Sequence, residues 1–131
     1  CVRLVGSEMC IRDRNYLAYS WLERNYKIEL SMEMLKEAYD LRKNDPYITD
    51  SLGWGYYLIN DFENAEKYLK KAVELMPYDP IVNDHYGDIL WMLNRKIQAR
   101  YFWNNVLNLD ETDDEMKIDV KKKIIYGIEK T

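Results

Sequence analysis

Residues 45–77 read DPYITDSLGWGYYLINDFENAEKYLKKAVELMP, and this pattern determines the predicted fold. Asp45 and Pro46 predict the start of a helix, because an aspartate side chain caps free backbone amides and proline suits the first helical turn. Apolar residues then recur at helical spacing on both sides of a short polar turn at Asn60 and Asp61. A closing proline ends the second run. The stretch is therefore predicted to be two antiparallel helices joined by a tight turn.

The same unit recurs further along the chain. Equivalent residues of the two copies are always separated by the same number of residues, which we call the repeat offset. An earlier, less regular copy matches at Leu35 and Ala38, and it needs one extra residue in the turn at residues 23–26. A glycine inside a helix costs about 1 kcal/mol relative to alanine, so a repeated glycine predicts a close crossing between the two helices of each unit. The matching pairs are Asp45 and Asp79, Pro46 and Pro80, Gly53 and Gly87, Ala65 and Ala99, and Leu69 and Trp103.

Two antiparallel helices in every ~34 residues are the signature of a tetratricopeptide repeat, and residues 15–111 resemble that family. The resemblance implies an all-α fold, a right-handed α-solenoid of three helix-turn-helix repeats with a C-terminal cap helix. The first copy departs most from the pattern, with Ala18 in place of the glycine and Ser31 in place of the first alanine. The second copy matches throughout, at Leu52, Gly53, Tyr56, Ala65, Leu69, Ala72 and Pro77.

Two segments, DSLGWGYY and VNDHYGDILW, also resemble repeats near the C-terminus of large alphaproteobacterial tetratricopeptide proteins. Many of those bacterial relatives are exported or lipid-anchored. The resemblance therefore leaves cytoplasmic, periplasmic and lipid-anchored locations open, and it implies no chemistry.

The repeat offset divides residues 15–131 into one domain, with repeats at about 15–45, 46–79 and 80–112. A cap helix is predicted at about 113–129, because the last unit of a repeat array must have its exposed face covered. The lysines at 121–123 are predicted to form a solvated face of this cap, and contact with an anionic surface is the alternative. Its buried stripe is predicted to contain Met116, Val120, Ile124 and Ile128.

The first fourteen residues, CVRLVGSEMCIRDR, lack the helical period seen in the rest of the chain. They resemble a translated sequencing-adapter read-through found at the ends of metagenomic gene fragments. We therefore predict a non-native tail at 1–14 and a longer parent protein whose true N-terminus is missing. The alternative is an ordinary N-terminal tail or the end of a preceding helix.

Composition limits the possible functions. Apolar residues make up 47% and charged residues 32% of the chain, which predicts a folded domain without a membrane-inserted segment. The net charge of −4 argues against nucleic acid as a partner. The sequence contains no glycine-rich phosphate loop and no serine nucleophile motif, so we predict no catalytic residues, no cofactor and no enzymatic activity.

In tetratricopeptide proteins the first helix of each repeat lines a concave groove. The resemblance therefore implies a peptide groove in this chain formed by Tyr19, Tyr47, Asp50, Trp54, Tyr57, Asp84, His85, Asp88 and Trp91. Further groove positions on the same helices are Asn15, Leu22, Ser51, Leu58, Ile81 and Met92.

This set of side chains is aromatic and acidic, and none of its members is Lys or Arg. Aromatic rings beside carboxylates suit a ligand with basic and apolar side chains. Relatives that hold a peptide's C-terminal carboxylate use Lys, Arg and Asn at the groove, so that binding mode is not expected here. The alternative for Trp54 and Trp91 is that they only pack against neighbouring helices.

His85 with Asp84 and Asp88 raises the possibility of a metal site, since residues three or four apart share a helix face. The chain has one histidine in all, so we predict ordinary hydrogen bonding for His85 and no metal.

The sequence thus favours a protein-protein interaction module with an adaptor or scaffold role, and its partner is a protein or peptide. The alternative is a structural segment that packs against the rest of a longer chain or self-associates, without a separate ligand.

Overall fold

The computed structural model describes residues 7–129, and all regular structure in that range is helical. The predicted all-α class is confirmed. No helix of the described range is long and apolar enough to cross a membrane. The helices are α1 (Ser7–Glu23), α2 (Ile28–Leu41), α3 (Pro46–Leu58), α4 (Phe62–Leu75), α5 (Pro80–Met92), α6 (Lys96–Asn108) and α7 (Asp114–Tyr126).

Each helix packs on the next one along the chain, and the first helices of successive pairs also touch, α1 with α3 and α3 with α5. This is the contact pattern of a helical repeat solenoid, in which each unit covers only its neighbours.

Aspartates cap α3, α5 and α7 at the same repeat position. The side chains of Asp45, Asp79 and Asp113 accept hydrogen bonds from the first-turn amides of their helices. Successive caps are separated by the repeat offset, so α7 begins where the first helix of a further repeat would begin. The cap helix therefore continues the row of first helices.

Asparagines make the turn inside each repeat. Asn25, Asn60 and Asn94 have φ of 56°, 66° and 64°, a left-handed conformation that asparagine tolerates better than most residues. The first of these turns spans residues 24–27, one more than the turns at 59–61 and 93–95. The extra residue lies in the segment where the repeat offset requires it.

The central core residues lie on the second helix of each repeat, α2, α4 and α6, and recur at the repeat offset. Nine of them are at most 5% exposed. In the second and third repeats a large side chain lies on a glycine. A Cβ atom added to Gly53 would lie 2.7 Å from Leu69 Cγ, and one added to Gly87 would lie 2.5 Å from Trp103 Cδ1. The nine residues are Ser31, Leu35, Ala38, Ala65, Leu69, Ala72, Ala99, Trp103 and Val106.

Helix α1 begins before the predicted boundary at residue 15. Ile11 is buried with Ala38 and Ile48, and it precedes Asn15 by one helical turn on the same face. Residues from Ser7 onward are therefore helical, and the predicted lack of a helical period is wrong for them. Residues 1–6 lie outside the described range, and the non-native origin of the segment stays a prediction.

At the other end of the chain α7 stops at Tyr126, short of the predicted 129. Gly127 follows with φ 73°, a left-handed conformation that ends helices. A Cβ atom on Gly127 would also overlap the ring of Trp91, so the glycine lets the chain turn close against that ring.

The glycine contact gives a stability prediction. We expect Gly53→Ala to lower the free energy of unfolding by about 1–3 kcal/mol, because its Cβ meets the Leu69 backbone nitrogen at 2.9 Å as well as the side chain. Gly55→Ala is the matched control, since the three atoms nearest to its Cβ are the side-chain ends of Leu35, Met32 and Leu22. In Gly55→Ala the higher helix propensity of alanine offsets the steric cost by about 1 kcal/mol. Urea unfolding measures both variants, and equal losses would contradict the proposed crossing constraint.

Candidate functional site

Polar contacts link the first helices into a continuous row. Between α1 and α3, Asn15 Nδ2 donates to Ser51 Oγ at 3.0 Å. Between α3 and α5, His85 Nδ1 lies 3.0 Å from both carboxylate oxygens of Asp50. These contacts are buried, so water competes with them weakly.

Between α5 and α7 the contact is an ion pair network. Lys123 Nζ donates to Asp84 Oδ1 at 2.5 Å and to Asp88 Oδ1 at 2.8 Å. Trp103 Nε1 from α6 donates to the same Asp88 oxygen at 3.0 Å. The carboxylate of Asp88 therefore connects the core tryptophan of the third repeat to the cap helix.

Three rings stack at the centre of the row. The Trp54 ring lies between Tyr57, at a centroid distance of 4.4 Å, and His85, at 3.9 Å, with interplanar angles of 9° and 12°. Trp54 Nε1 is buried without a hydrogen-bond partner among the described residues. Rings thus pack on both faces of the Trp54 indole, and Asp50 holds the His85 ring at one end of the stack.

Trp91 is also engaged by its own chain. Its Nε1 donates to the carbonyl oxygen of Ile128 at 3.0 Å. The ammonium of Lys96 and the guanidinium of Arg100 lie 4.8 Å and 5.0 Å from the ring centroid, within the range of cation–π attraction. Both groove tryptophans therefore make the packing contacts of the alternative interpretation, and contact with a ligand stays a prediction.

Burial and charge shift the proton affinities of the site. Burial alone lowers the pKa of His85, but the carboxylates of Asp50, Asp88 and Asp84 outweigh it, so the pKa lies above 6.5. Burial raises the pKa of Asp88, and the charge of Asp84 adds to the rise while Lys123 opposes it. Burial likewise raises the pKa of Tyr57, with further contributions from Asp88 and Asp84. The charges of Asp84 and Asp88 thus act on both His85 and Tyr57.

The structure brings six of the nine predicted site residues into one cluster on α3 and α5. Tyr19 is partly buried near Asp50, whose charge contributes to its raised pKa after burial and Glu23. Tyr47 is exposed at the start of α3, and Trp91 lies towards the C-terminal end of α5. The six clustered residues are Asp50, Trp54, Tyr57, Asp84, His85 and Asp88.

Two predictions about charge were wrong at Lys123. The groove was expected to lack a basic residue, but Lys123 pairs with two of its carboxylates. The lysines 121–123 were expected to be solvated, and Lys121 and Lys122 are exposed, but the side chain of Lys123 is only 20% exposed. The signal was present in the sequence, because Asp50–His85 and Asp88–Lys123 are both 35 residues apart. Recognising α7 as a further first helix would have extended the offset to it.

The metal interpretation has no support in the described residues, where no group of three or more His, Cys, Asp or Glu side chains could hold an ion. The imidazole nitrogen Nδ1 is directed to Asp50 on α3 and not to the aspartates on its own helix.

The paired helices and their constant repeat offset define the fold of a tetratricopeptide repeat domain. No protein-family model matches the sequence, and no curated protein matches it. The chain is similar to the Yersinia enterocolitica type III secretion chaperone SycD in complex with a peptide of the translocator YopD, with TM-score 0.76 and 14% identity over 94% of this chain and 95% of that chain.

A second similar structure is the second TPR domain of the human RPAP3 protein in complex with an HSP70 peptide, with TM-score 0.71 and 17% identity over 89% of this chain and 97% of that chain. A third is the first TPR of Spaghetti (RPAP3) bound to an HSP90 peptide, with TM-score 0.72 and 16% identity over 87% and 90% of the two chains. At these identities the similarity establishes the fold alone.

The single histidine makes its pKa directly measurable by NMR titration of one imidazole. We expect a value above 6.5 in the wild type and a lower one in Asp50→Asn, because burial is then less opposed. The folded state holds this proton more tightly than the unfolded chain. Protonation of His85 therefore makes its full contribution to the free energy of unfolding below pH 6.5. This contribution is lost as pH rises through the folded-state pKa.

Asp40→Asn, an exposed site on α2, is the control for removing one negative charge. A wild-type pKa at or below 6.5, or an equal shift in both variants, would show that Asp50 does not hold the proton.

Proposed function

We propose that this domain binds a protein or peptide segment along the face formed by its first helices, α3, α5 and α7, as an adaptor or assembly module. The observation that carries the proposal is a set of exposed apolar side chains on that face, next to carboxylates. Tyr47, Ile81, Ile118 and Ile125 are 51%, 53%, 56% and 67% exposed. Exposed apolar side chains grouped with charged ones are typical of interaction sites.

Helix register supports placing these side chains on one face. Ile81 precedes Asp84 by three residues and Asp88 by seven, which is the spacing of a single helix face. The repeat offset separates Tyr47 from Ile81, and it also separates Asp84 from Ile118. The repeat therefore presents alternating apolar and acidic side chains to a ligand that lies across the helices.

Charge favours a basic ligand. Three carboxylates, on Asp50, Asp84 and Asp88, face one lysine and one imidazole of the same chain. A Lys or Arg side chain of the ligand would restore the balance, and an acidic segment would be repelled. The rings of Trp54 and Trp91 already contact side chains of the same chain. We therefore assign the basic side chain of the ligand to the carboxylates and not to a tryptophan ring.

The class of partner is supported by analogy. SycD and both RPAP3 domains of this fold hold peptides, although fold alone does not determine function. The mechanism is pre-organisation, since the stacked and hydrogen-bonded first helices lose little freedom when a ligand binds.

A peptide-display selection on the whole chain tests the proposal. We expect the selected peptides to be enriched in Lys or Arg near apolar residues. A selected peptide should bind Asp84→Asn roughly tenfold more weakly, a change of about 1.4 kcal/mol. Affinity measured by fluorescence polarisation should also fall with added salt.

Asp40→Asn changes the charge equally on α2 and should bind like the wild type. Selected peptides without basic residues would disprove the charge assignment. No selection of any peptide, or equal weakening by both variants, would disprove binding at this face.

A further inference from the structure

The outer face of α6 has an unusual composition for a surface helix. It contains Ile97, Gln98, Tyr101, Asn104, Asn105 and Asn108, and none of the six is charged. Ile97 is 87% exposed, the highest value among the large apolar residues described, and Tyr101 is 62% exposed. We call these six residues the amide face.

The equivalent surface of α4 is different. Its exposed residues include Glu63, Lys67, Lys70 and Glu74, as expected in a chain with 32% charged residues. The charged residues of α6 point elsewhere, since Arg100 donates to the Ile124 carbonyl oxygen at 3.0 Å and the Lys96 ammonium lies over the Trp91 ring. Depletion of charge together with an exposed tyrosine is the composition of an interface core.

A cavity opens beside the C-terminal half of the amide face. It is lined by Glu74, Pro77 and Tyr78 on one side and by Tyr101, Asn105 and Asn108 on the other. Ile97 lies eleven residues before Asn108, a distance of about 16 Å along the helix. One helix thus has a projecting isoleucine near one end and a cavity near the other.

We propose that the amide face is the contact surface between two copies of this chain, with their α6 helices packed antiparallel. A two-fold axis near the helix midpoint at Phe102 would bring Ile97 of each copy to the cavity of the other copy. Both ends would then be filled at once, as an isologous interface requires.

Two features favour a second copy over an unrelated partner. Carboxamides both donate and accept hydrogen bonds, so Asn104 and Asn105 can pair with the same residues of the other copy. A helix face without charge also meets its own copy without repulsion.

The expected association is weak. A standard interface buries about 800 Å² on each partner, and a helix of this length spans only about 20 Å. Tyr78 at the edge of the cavity is 79% exposed and adds area. The dimer should therefore be in equilibrium with the 15.9 kDa monomer.

Sedimentation equilibrium from about 1 µM to about 1 mM covers the range of weak specific affinities. We expect a reversible monomer–dimer equilibrium, with Ile97→Asp raising the dissociation constant at least tenfold. Leu30→Asp, an apolar residue that is 44% exposed on α2, is the matched control and should leave the constant unchanged. A monomer at every concentration, or equal loss in the control, would overturn the proposal.

A charge-swap pair tests the two-fold axis itself. Asn104→Asp and Asn104→Lys should each weaken self-association, and mixing the two should restore a heterodimer. Restoration cannot result from misfolding, and circular dichroism checks the helix content of each variant. A mixture that stays monomeric would disprove the antiparallel α6 contact. None of these outcomes depends on peptide binding by the first helices.

Discussion

The contact of a large side chain with a glycine inside the second and third repeats is the constraint on which the rest of the structure depends. Leu69 on Gly53 and Trp103 on Gly87 leave no space for a Cβ atom, so each helix pair crosses at one close distance. Repeating the same crossing sets α3 and α5 side by side. Only in that arrangement do Asp50 and His85, which are 35 residues apart, meet at 3.0 Å.

The third repeat adds a polar function to this packing contact. A leucine on the glycine only fills space, but the indole of Trp103 also directs its N–H to Asp88. That bond orients the carboxylate towards Lys123. Burial of Asp88 costs free energy unless it is compensated by such partners, so the tryptophan and the cap-helix lysine stabilise the same group. The end of the array is thereby joined to its core by charge as well as by apolar packing.

The sequence predicted what depends on local spacing. The aspartate caps, the helix pairs and the glycine crossings all follow from residues that are near in the chain or one repeat offset apart. The contacts between neighbouring first helices, such as that of Lys123 with Asp88, were not predicted. The side chains that meet there are 35 residues apart, which is one residue more than the repeat offset. The early start of α1 was missed for another reason. The resemblance of residues 1–14 to an adapter sequence conceals the helical spacing of Ile11 and Asn15.

The internal contacts of the tryptophans change the chemistry expected of the first-helix face. A free indole face would attract a cation, but Trp54 has a ring on each side and Trp91 already has two cations near it. Attraction for a basic ligand must then come from the carboxylates. Asp84 is the most accessible of these, because its side chain is 17% exposed against 9% for Asp50 and 7% for Asp88, although it also pairs with Lys123. The stack holds the rings of the face in place, and the proposed charge preference rests on the carboxylates.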